Sequence, residues 1–468
     1  MTDHGPLIVD VECASHALRW LACRHATEFP VLLDSAAQGP LGRYSVLAAF
    51  PTGTLTLDHH GQLVSRGLAP AMAARSSNSN AGAAFLAALD EGWRTAAPAA
   101  TSEAGQPPFT GGWMVYLGYE MAGGIEPRLE LPAATQSPVA CAWRVPAALV
   151  FDHAAQRCQA VVERAHPSLL PRLLARLQEA RRAGLPGPEA FRVVATLEEE
   201  PELYLERVRR AQQFIRAGDI YQANLSRGWQ VRLAPGVDAG AVYESLRRHN
   251  PAPFAALARL GTTSLLCSSP ERLVSVRGDR IATRPIAGTR PRSGQPQRES
   301  GELSELIGHP KERAEHVMLI DLERNDLGKL CQPGTVQVDE FMALESYAHV
   351  HHIVSNVSGR LRSGVSPATV LRAVFPGGTI TGVPKFRCMQ LIGELEGAPR
   401  GAYTGALGYL GHDGSMDFNI LIRSLTLDGA EVRFRAGAGI VADSDPGREL
   451  EETRAKARGL LRALGVTT

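Results

Sequence analysis

Short apolar runs between turn residues dominate the chain before residue 184 and predict a strand-rich N-terminal region. The runs predict strands at four places: Phe29 to Asp34, Leu41 to Ala49, Thr54 to Leu57 and Ala147 to Phe151. Longer periodic segments predict helices over Ala81 to Arg94 and Pro167 to Arg182. Glycine and proline residues follow the second of these helices. The sequence therefore predicts two regions, residues 1–184 and 199–468.

The second region opens with a pattern that predicts an amphipathic helix and then a strand with one polar face. The helix covers Glu202 to Ala217. In the following segment, I-Y-Q-A-N-L-S-R, alternate positions place Gln222, Asn224 and Ser226 on one side of the strand and apolar residues on the other. Such a polar face is either solvated or the wall of a site, and the pattern leaves both open.

Composition and charge narrow the functional classes. The 468 residues are 44% apolar and carry a net charge of +1. A chain with so little net positive charge does not attract nucleic acid or an anionic membrane surface electrostatically. No apolar run reaches about 18 residues and the start, M-T-D-H-G-P, lacks an export signal, so we expect a cytoplasmic protein without membrane or nucleic-acid partners. Seven cysteines without a C-x-x-C pair favour reduced thiols.

Two predicted helices carry paired carboxylates. Glu312 and Glu315 are three residues apart on one of them, and Glu449 and Glu452 have the same spacing on the last helix of the chain. Acidic residues near a helix start commonly serve only the helix dipole. Two pairs on two helices could also supply the oxygen ligands of a magnesium ion and leave places for water and a substrate carboxylate.

Two further features suit an anionic ligand. The turn-rich loop F-P-G-G-T-I-T-G-V-P-K, over Phe375 to Lys385, exposes backbone amides, threonine hydroxyls and a lysine, although a tight surface turn explains the same composition. Arg423 ends the otherwise apolar segment M-D-F-N-I-L-I-R and needs an anion, either a partner carboxylate or a ligand. Together with the paired carboxylates, these residues indicate a magnesium-assisted site for a small di-acid.

Six segments, taken in order, resemble the chorismate-utilising enzymes: P-I-A-G-T-R-P-R, D-L-E-R-N-D-L-G, H-I-V-S-N-V, F-P-G-G-T-I-T-G-V-P-K, M-D-F-N-I-L-I-R and A-G-A-G-I-V-A-D-S. That family comprises the synthase subunits of anthranilate synthase and aminodeoxychorismate synthase, isochorismate synthase and salicylate synthase. The resemblance covers roughly residues 200–465 and extends more weakly to the N-terminal region. It implies an α+β fold of the anthranilate synthase component I type, with large antiparallel sheets packed as a sandwich, helices outside, and both regions sharing the sheets.

The resemblance implies a magnesium cofactor and indicates which residues bind it. Glu315 and Glu449 match the principal ligands, with Glu312 and Glu452 beside them directly or through water. In the family, magnesium on the ring carboxylate of chorismate withdraws electron density and favours attack at C2 as the C4 hydroxyl leaves.

Substrate-binding and catalytic positions also carry over by resemblance. The positions that match those holding the substrate carboxylates are Tyr403, Arg423, Gly437, Gly439 and Lys456, with Thr379 in the same pocket. Glu271 matches the acid that protonates the departing C4 hydroxyl, and His352 matches the histidine beside it.

Gln222 implies that the nucleophile is ammonia. Members of the family that use water carry a lysine at this position as a base, whereas ammonia needs none. No glutaminase signature occurs in the chain. We therefore expect ammonia from a separate glutaminase subunit or from solution.

The choice between the two ammonia-using enzymes depends on opposing features. F-P-G-G-T-I-T-G-V-P-K, Y-T-G-A-L-G-Y and D-L-E-R-N-D-L-G look more like aminodeoxychorismate synthase, which makes the 4-amino precursor of p-aminobenzoate for folate synthesis, and the sequence favours that enzyme. Many aminodeoxychorismate synthases, however, carry a lysine nucleophile at the position of Ala287. Anthranilate synthase, the enzyme of tryptophan synthesis, has alanine there, as this chain does. A non-catalytic, ligand-binding regulatory homologue is an alternative of another class.

The resemblance also implies a tryptophan site in the N-terminal region. The L-L-D-S and G-R-Y-S segments carry its candidate residues, Asp34, Ser35, Tyr44 and Ser45. In the family, tryptophan at this site serves as an inhibitor or as a structural ligand.

Overall fold

A computed structural model describes residues 5–37, 39, 41–68, 80–96, 105–135, 137–183, 191–291, 310–346 and 350–466. For residues 287–291, 310–312, 346 and 350–352 it describes the backbone only. In the described part of the chain, no helix combines the length and the hydropathy needed to cross a membrane.

The described residues form ten α-helices. They are α1 (Ser15–Arg24), α2 (Ala81–Ala96), α3 (Met121–Ile125), α4 (Leu169–Ala183), α5 (Pro201–Arg216), α6 (Ala239–His249), α7 (Pro310–Gly328), α8 (Pro367–Val374), α9 (Lys385–Glu396) and α10 (Pro446–Ala463). A 3₁₀ turn, Gly378–Ile380, lies in the glycine- and threonine-rich loop.

Strands make up most of the remaining structure. In the N-terminal region they are β1 (Leu7–Val11), β2 (Val31–Asp34), β3 (Tyr44–Ala49), β4 (Gly53–Leu57), β5 (Leu63–Arg66), β6 (Gly112–Leu117), β7 (Ala140–Val145), β8 (Ala147–Asp152) and β9 (Arg157–Val162). Beyond it they are β10 (Val193–Glu198), β11 (Gln222–Leu233), β12 (Phe254–Leu260), β13 (Thr263–Ser269), β14 (Arg272–Arg277), β15 (Arg280–Arg284), β16 (Ile286–Pro291), β17 (Gln337–Ser346), β18 (Val350–Arg360), β19 (Gly382–Val383), β20 (Ala406–Gly411), β21 (Met416–Ile420), β22 (Ser424–Asp428) and β23 (Glu431–Ile440).

The strands form two antiparallel sheets that both regions share. The first has the order β1-β9-β8-β3-β2-β12-β13-β22-β23-β11-β10, with β19 paired to β11. The second has the order β16-β18-β15-β14-β21-β20-β6-β7-β4-β5, with β17 paired to β18. Strands of the two regions join where β2 pairs with β12 and where β6 pairs with β20. The α+β architecture with large antiparallel sheets is confirmed.

Apolar side chains fill three layers. One cluster lies between the sheets, where Val46 and Ala256 of the first sheet share a core with Met114 and Tyr116 of the second. On the outer face of the first sheet, helices α1, α4, α6 and α10 supply apolar residues to a second cluster. A third cluster joins the second sheet to α2, α5, α8 and α9. Helices therefore lie outside the sandwich, as the resemblance implied.

A buried ion network ties α9 to the end of the first sheet. Glu396, at the end of α9, is fully buried and accepts bonds from Arg400 at 2.6 Å, from Arg435 at 3.0 Å and from the Ser226 backbone amide at 2.8 Å. Burial alone would raise the pKa of Glu396, but the two guanidinium groups lower it to about 2. Arg400 also donates to the carbonyls of Asn224 at 2.6 Å and Ile380 at 3.3 Å. One carboxylate thus fixes β11, β23 and the 3₁₀ turn together.

Replacing Glu396 with glutamine should destabilise the fold strongly. The variant leaves two buried guanidinium groups without a counter-charge, a loss that typically costs about 3–5 kcal/mol. Because the pKa of Glu396 is lowered, its contribution should be present near neutral pH and disappear as the pH falls toward about 2. Urea unfolding at several pH values measures both effects.

The matched control is Glu206→Gln, which removes an exposed ion pair with Arg209 on α5. Its unfolding midpoint should stay at the wild-type value. Equal midpoints for the two variants would contradict a structural role for the Glu396 network.

Candidate active site

The polar face of β11 lies against two glycines of β23. In the antiparallel register, Asn224 is opposite Gly439 and Ser226 is opposite Gly437. A Cβ atom at Gly437 would come within 2.7 Å of the Tyr403 hydroxyl and 2.8 Å of Asn224 Oδ1. One at Gly439 would meet Gln222 Nε2 at 2.3 Å. Only glycine therefore lets these side chains approach the strand.

Buried acceptors without partners line this face. Gln222 is buried, and neither its Oε1 atom nor Oδ1 of Asn224 has a hydrogen-bond partner among the described residues. Buried polar atoms are normally paired, so unpaired ones mark a place for a ligand. Ser226 instead bonds Glu396 at 3.0 Å. Of the two alternatives that the sequence left open, the structure supports a site wall.

The last helix brings Lys456 to the same place. The Asp445 side chain accepts a bond from the Arg448 amide at 2.8 Å and so begins α10, with Pro446 in its first turn. Lys456, more than two turns later, donates to the Gly437 carbonyl at 2.9 Å and pairs with Glu452 at 2.8 Å. The structure thus groups Lys456 with the predicted glycine at 437.

Arg423 was predicted to need an anion, and no carboxylate of the described residues forms an ion pair with it. Its backbone has φ of 51°, which is unusual for a residue with a side chain. Among the described residues its guanidinium has no hydrogen bond or ion pair, and burial lowers its pKa, partly offset by the charge of Glu271. A desolvated guanidinium with free donors suits a substrate carboxylate.

Glu271 has the protonation behaviour of a general acid. It follows β13, and its amide bonds Ser269 Oγ at 3.2 Å. Burial raises the pKa of Glu271 to about 7, the Thr379 hydroxyl lowers it, and the Glu323 carboxylate raises it further. Oε1 of Glu271 and Oγ1 of Thr379 both lack a hydrogen-bond partner within the described ranges. Near neutral pH the carboxyl group therefore keeps a proton that it can donate.

Glu323 was not among the residues predicted from the sequence. This buried residue of α7 has its pKa raised to about 7, first by burial and then by Asp326, while Lys385 lowers it. A Cβ atom at Gly378 would lie 3.2 Å from its carboxylate oxygen. The signal was available, because Glu323 stands three to four residues from Ile320 and Leu327 and so falls on the buried face of α7.

Lys385 is not free to bind an anion, which corrects the expectation for the glycine-rich loop. Its ammonium group pairs with Asp326, a buried carboxylate that also binds Lys329 at 2.8 Å. Thr381 likewise turns inward and donates to the Gly377 carbonyl at 3.0 Å. Of the side chains predicted to serve a ligand there, Thr379 retains an unpaired hydroxyl.

The predicted magnesium ligands are described in part. Glu315 lies on α7 and Glu449 on the first turn of α10, and both have further contacts within the protein. Burial raises the pKa of Tyr204, and the charges of Glu449 and Glu452 raise it further, so these carboxylates lie near Tyr204 of α5. Among the described residues, no three His, Cys, Asp or Glu side chains form a complete metal group.

Glu315 and Glu449 remain the predicted ligands of a shared magnesium ion. Magnesium commonly takes only one or two protein carboxylates, and substrate oxygens and water complete its coordination. Three predicted side chains, those of Glu312, Ala287 and His352, lie outside the described residues. Their backbones place Ala287 opposite Ile353 in the β16–β18 pair and His352 opposite Glu345 in the β17–β18 pair.

The residues predicted for tryptophan form a closed network. Asp34 is buried and accepts bonds from Ser45 at 2.9 Å, Arg247 at 2.8 Å and Tyr243 at 3.0 Å. Burial raises the pKa of Asp34, but Arg247 more than offsets this, so the pKa lies below its usual range. The structure brings Asp34, Ser35 and Ser45 together; the Tyr44 carbonyl accepts from Ser35 at 2.8 Å.

Comparison with known proteins gives consistent results. Residues 48–462 match the family model described as chorismate binding enzyme. The anthranilate synthase component I-like protein of Synechocystis sp. is 41% identical over 76% of this chain and 73% of its own length. The aminodeoxychorismate synthase component 1 of Bacillus subtilis is 46% identical over 56% of this chain and 55% of its own length. Further relatives named anthranilate synthase component 1 are 40–47% identical.

A solved structure matches the fold over most of its length. The crystal structure of anthranilate synthase component I from Streptococcus pneumoniae has a TM-score of 0.77 and 29% sequence identity, covering 90% of this chain and 93% of that chain. The likeness confirms the expected fold type.

Replacing Glu323 with glutamine should shift the pH dependence of turnover. Removing this charge lowers the pKa of Glu271, so the fraction of Glu271 that carries a proton falls at neutral pH. The alkaline limb of kcat/KM for chorismate consumption should therefore move to lower pH. The profile is measured with ammonium adjusted at each pH to hold free ammonia constant.

Asp321→Asn, an equal charge change at an exposed position of α7, serves as the control and should keep the wild-type midpoint. If Glu323→Gln also kept it, Glu323 would not tune the acid.

Proposed function

Because the chain belongs to the chorismate-binding enzyme family, we propose that it is the aminating subunit of a two-component anthranilate synthase, which adds ammonia at C2 of chorismate. The observation that carries the proposal is the buried, protonatable Glu271 beside the unpaired guanidinium of Arg423. An acid for a leaving hydroxyl and a cation for a carboxylate are the two groups that this reaction requires.

The substrate is held by groups that lack protein partners. Arg423 takes one carboxylate, and the Tyr403 hydroxyl, beside Gly437, supports the same wall. Gly439 lets the Gln222 side chain lie against β23, where its amide would face the ring. Glu315 and Glu449 would hold magnesium, which when bound would draw electron density from the ring through its carboxylate.

Glu271 performs the proton transfer. Its proton goes to the C4 hydroxyl, which leaves as water while ammonia forms a bond to C2 and then releases a proton. Loss of the C2 proton and of the enolpyruvyl group as pyruvate then gives anthranilate. The Thr379 hydroxyl lies beside Glu271 and can orient either the acid or the leaving oxygen. Gln222 and Asn224 present unpaired acceptors toward which the ammonia N–H groups can point.

Ammonia comes from a partner. The chain's relatives include proteins named component 1, and the chain itself contains no glutaminase signature, so we infer a glutaminase subunit that supplies ammonia. Ammonium salts should substitute for that partner in solution. Tryptophan bound near Asp34 remains a prediction, and there it would have to compete with the bonds that Ser45 and Arg247 already make.

Aminodeoxychorismate synthase is the second candidate. The loop and D-L-E-R-N-D-L-G segments and the relative from Bacillus subtilis favour it. The number of relatives named anthranilate synthase and Ala287 in place of a lysine nucleophile favour the 2-amino product. The loop segments alone favour the 4-amino product, but the relatives and Ala287 together favour the 2-amino product. We therefore place anthranilate synthase first.

Product identity tests the proposal directly. The purified chain, incubated with chorismate, Mg²⁺ and ammonium at alkaline pH, should form fluorescent anthranilate without another enzyme. Appearance of p-aminobenzoate only after adding aminodeoxychorismate lyase would assign the second candidate. No loss of chorismate under either condition would mark a regulatory homologue.

The Ala287→Lys variant distinguishes the two candidate enzymes. In a 2-amino enzyme, a lysine beside C2 should compete with ammonia and reduce turnover by roughly tenfold or more. In a 4-amino enzyme, the lysine should be tolerated and can serve as the nucleophile. Ala287→Met, which adds similar bulk without an amine, shows whether size alone causes the loss.

A further inference from the structure

Glu271 and Arg423 lie in two connections that carry the chain from one sheet to the other. The first connection, residues 270–271, leaves β13 of the first sheet and enters β14 of the second. The second connection, residues 421–423, runs the opposite way, from β21 of the second sheet to β22 of the first. Because β13 pairs with β22 and β14 pairs with β21, the two connections pass side by side between the sheets.

Main-chain hydrogen bonds join the two connections. The Ser268 amide donates to the Arg423 carbonyl at 3.1 Å. The Ile420 amide donates to the Glu271 carbonyl at 3.0 Å. The regular pairing of strands is interrupted here, because Pro270 has no N–H group and Arg423 has φ of 51°. The remaining backbone groups of this stretch therefore need other partners.

The Ser269 hydroxyl is such a partner. It donates to the Ile420 carbonyl at 2.5 Å and accepts a bond from the Glu271 amide at 3.2 Å. Ser269 is fully buried, so solvent does not compete for either bond. One hydroxyl thus joins the backbone of the candidate acid to the strand end that leads to Arg423.

We propose that Ser269 is a positioning residue, which fixes the Glu271 carboxyl group at a set distance from the Arg423 guanidinium. The inference rests on the proposed function, because that function assigns the leaving hydroxyl to Glu271 and a substrate carboxylate to Arg423. One substrate reaches both groups at once when their spacing matches the molecule, and a misplacement of about 1 Å can cost roughly a hundredfold in rate. The two groups lie on connections far apart in the chain, so a bond between the connections has to hold that spacing.

The protonation of Glu271 reports its distance from Arg423. Burial raises the pKa of Glu271 to about 7, and the Thr379 hydroxyl lowers it. The Glu323 carboxylate of α7 raises it further, whereas the Ile286 amide and the Arg423 guanidinium lower it. Movement of Glu271 away from Arg423 would weaken that last effect and raise the pKa of the acid.

Ser269→Ala tests the proposal. With chorismate, Mg²⁺ and ammonium, kcat should fall by roughly tenfold or more, because the acid no longer meets the leaving hydroxyl. The chorismate KM should stay within about twofold of the wild-type value, because Arg423 keeps its guanidinium. With free ammonia held constant, the alkaline limb of kcat/KM should move to higher pH, opposite to the shift expected for Glu323→Gln. A variant that merely folded less well would lose active enzyme without moving this limb.

Two variants serve as controls. Ser269→Thr keeps the hydroxyl and should keep the wild-type position of the alkaline limb. Ser245→Ala removes a hydroxyl that donates to the Ala463 carbonyl at 2.7 Å and joins α6 to the last residue of α10. It should keep both the wild-type kcat and the wild-type limb. If circular dichroism shows that Ser269→Ala does not fold, Ser269→Cys, with similar volume and a weaker donor, replaces it and should move the limb in the same direction.

Infrared titration follows the acid without turnover. The carboxyl band of Glu271, identified by its loss in Glu271→Gln, should titrate at higher pH in Ser269→Ala than in the wild type. An unmoved band and an unmoved alkaline limb in folded Ser269→Ala would overturn the positioning role, and so would an equal shift in Ser269→Thr. If the wild-type chain consumes no chorismate with Mg²⁺ and ammonium, the proposed function fails, and the infrared result separates that failure from the failure of the positioning role.

Discussion

One buried carboxylate organises the site half of this molecule. Glu396 holds two arginines from different elements, and through them it fixes the register between the polar strand β11, the glycine strand β23 and the 3₁₀ turn that carries Thr379. A buried charge is tolerated only when it is paired, so this group cannot relax without moving all three elements. The constraint keeps Gln222, Asn224 and Tyr403 in place although each leaves polar atoms available to a ligand.

The buried carboxyl groups of the site differ in their protonation. On one side, Glu271 and Glu323 are buried near each other and keep carboxyl protons near neutral pH. On the other side, the two arginines lower the pKa of Glu396 to about 2, so it remains charged. A protonated acid and an arginine without a counter-charge in the described protein suit a leaving hydroxyl and a substrate carboxylate.

Periodicity predicted much of this architecture because apolar spacing reports burial directly. The helix at 202–217, the alternation of β11 and the start of α10 at Asp445 all follow from local sequence. The ion pairs of the site cannot be predicted from local sequence. Lys385 pairs with Asp326, which is 59 residues away, and Arg435 of β23 pairs with Glu396 of α9. Charged residues are assigned to the surface by default, so Glu323 and Glu396 escaped notice. Roles such as the acid at Glu271 came from resemblance and not from spacing.

The central claim is that one di-acid binds where Arg423, Glu271 and the β11 wall meet, with magnesium shared between two helices. A crystal structure with Mg²⁺ and a stable chorismate analogue tests it most directly. The account predicts one carboxylate on Arg423, the ring beside Gln222 and Gly439, and a metal ion bound by both Glu315 and Glu449. An analogue seated elsewhere, or a metal ion that only one of these two glutamates reaches, would contradict it.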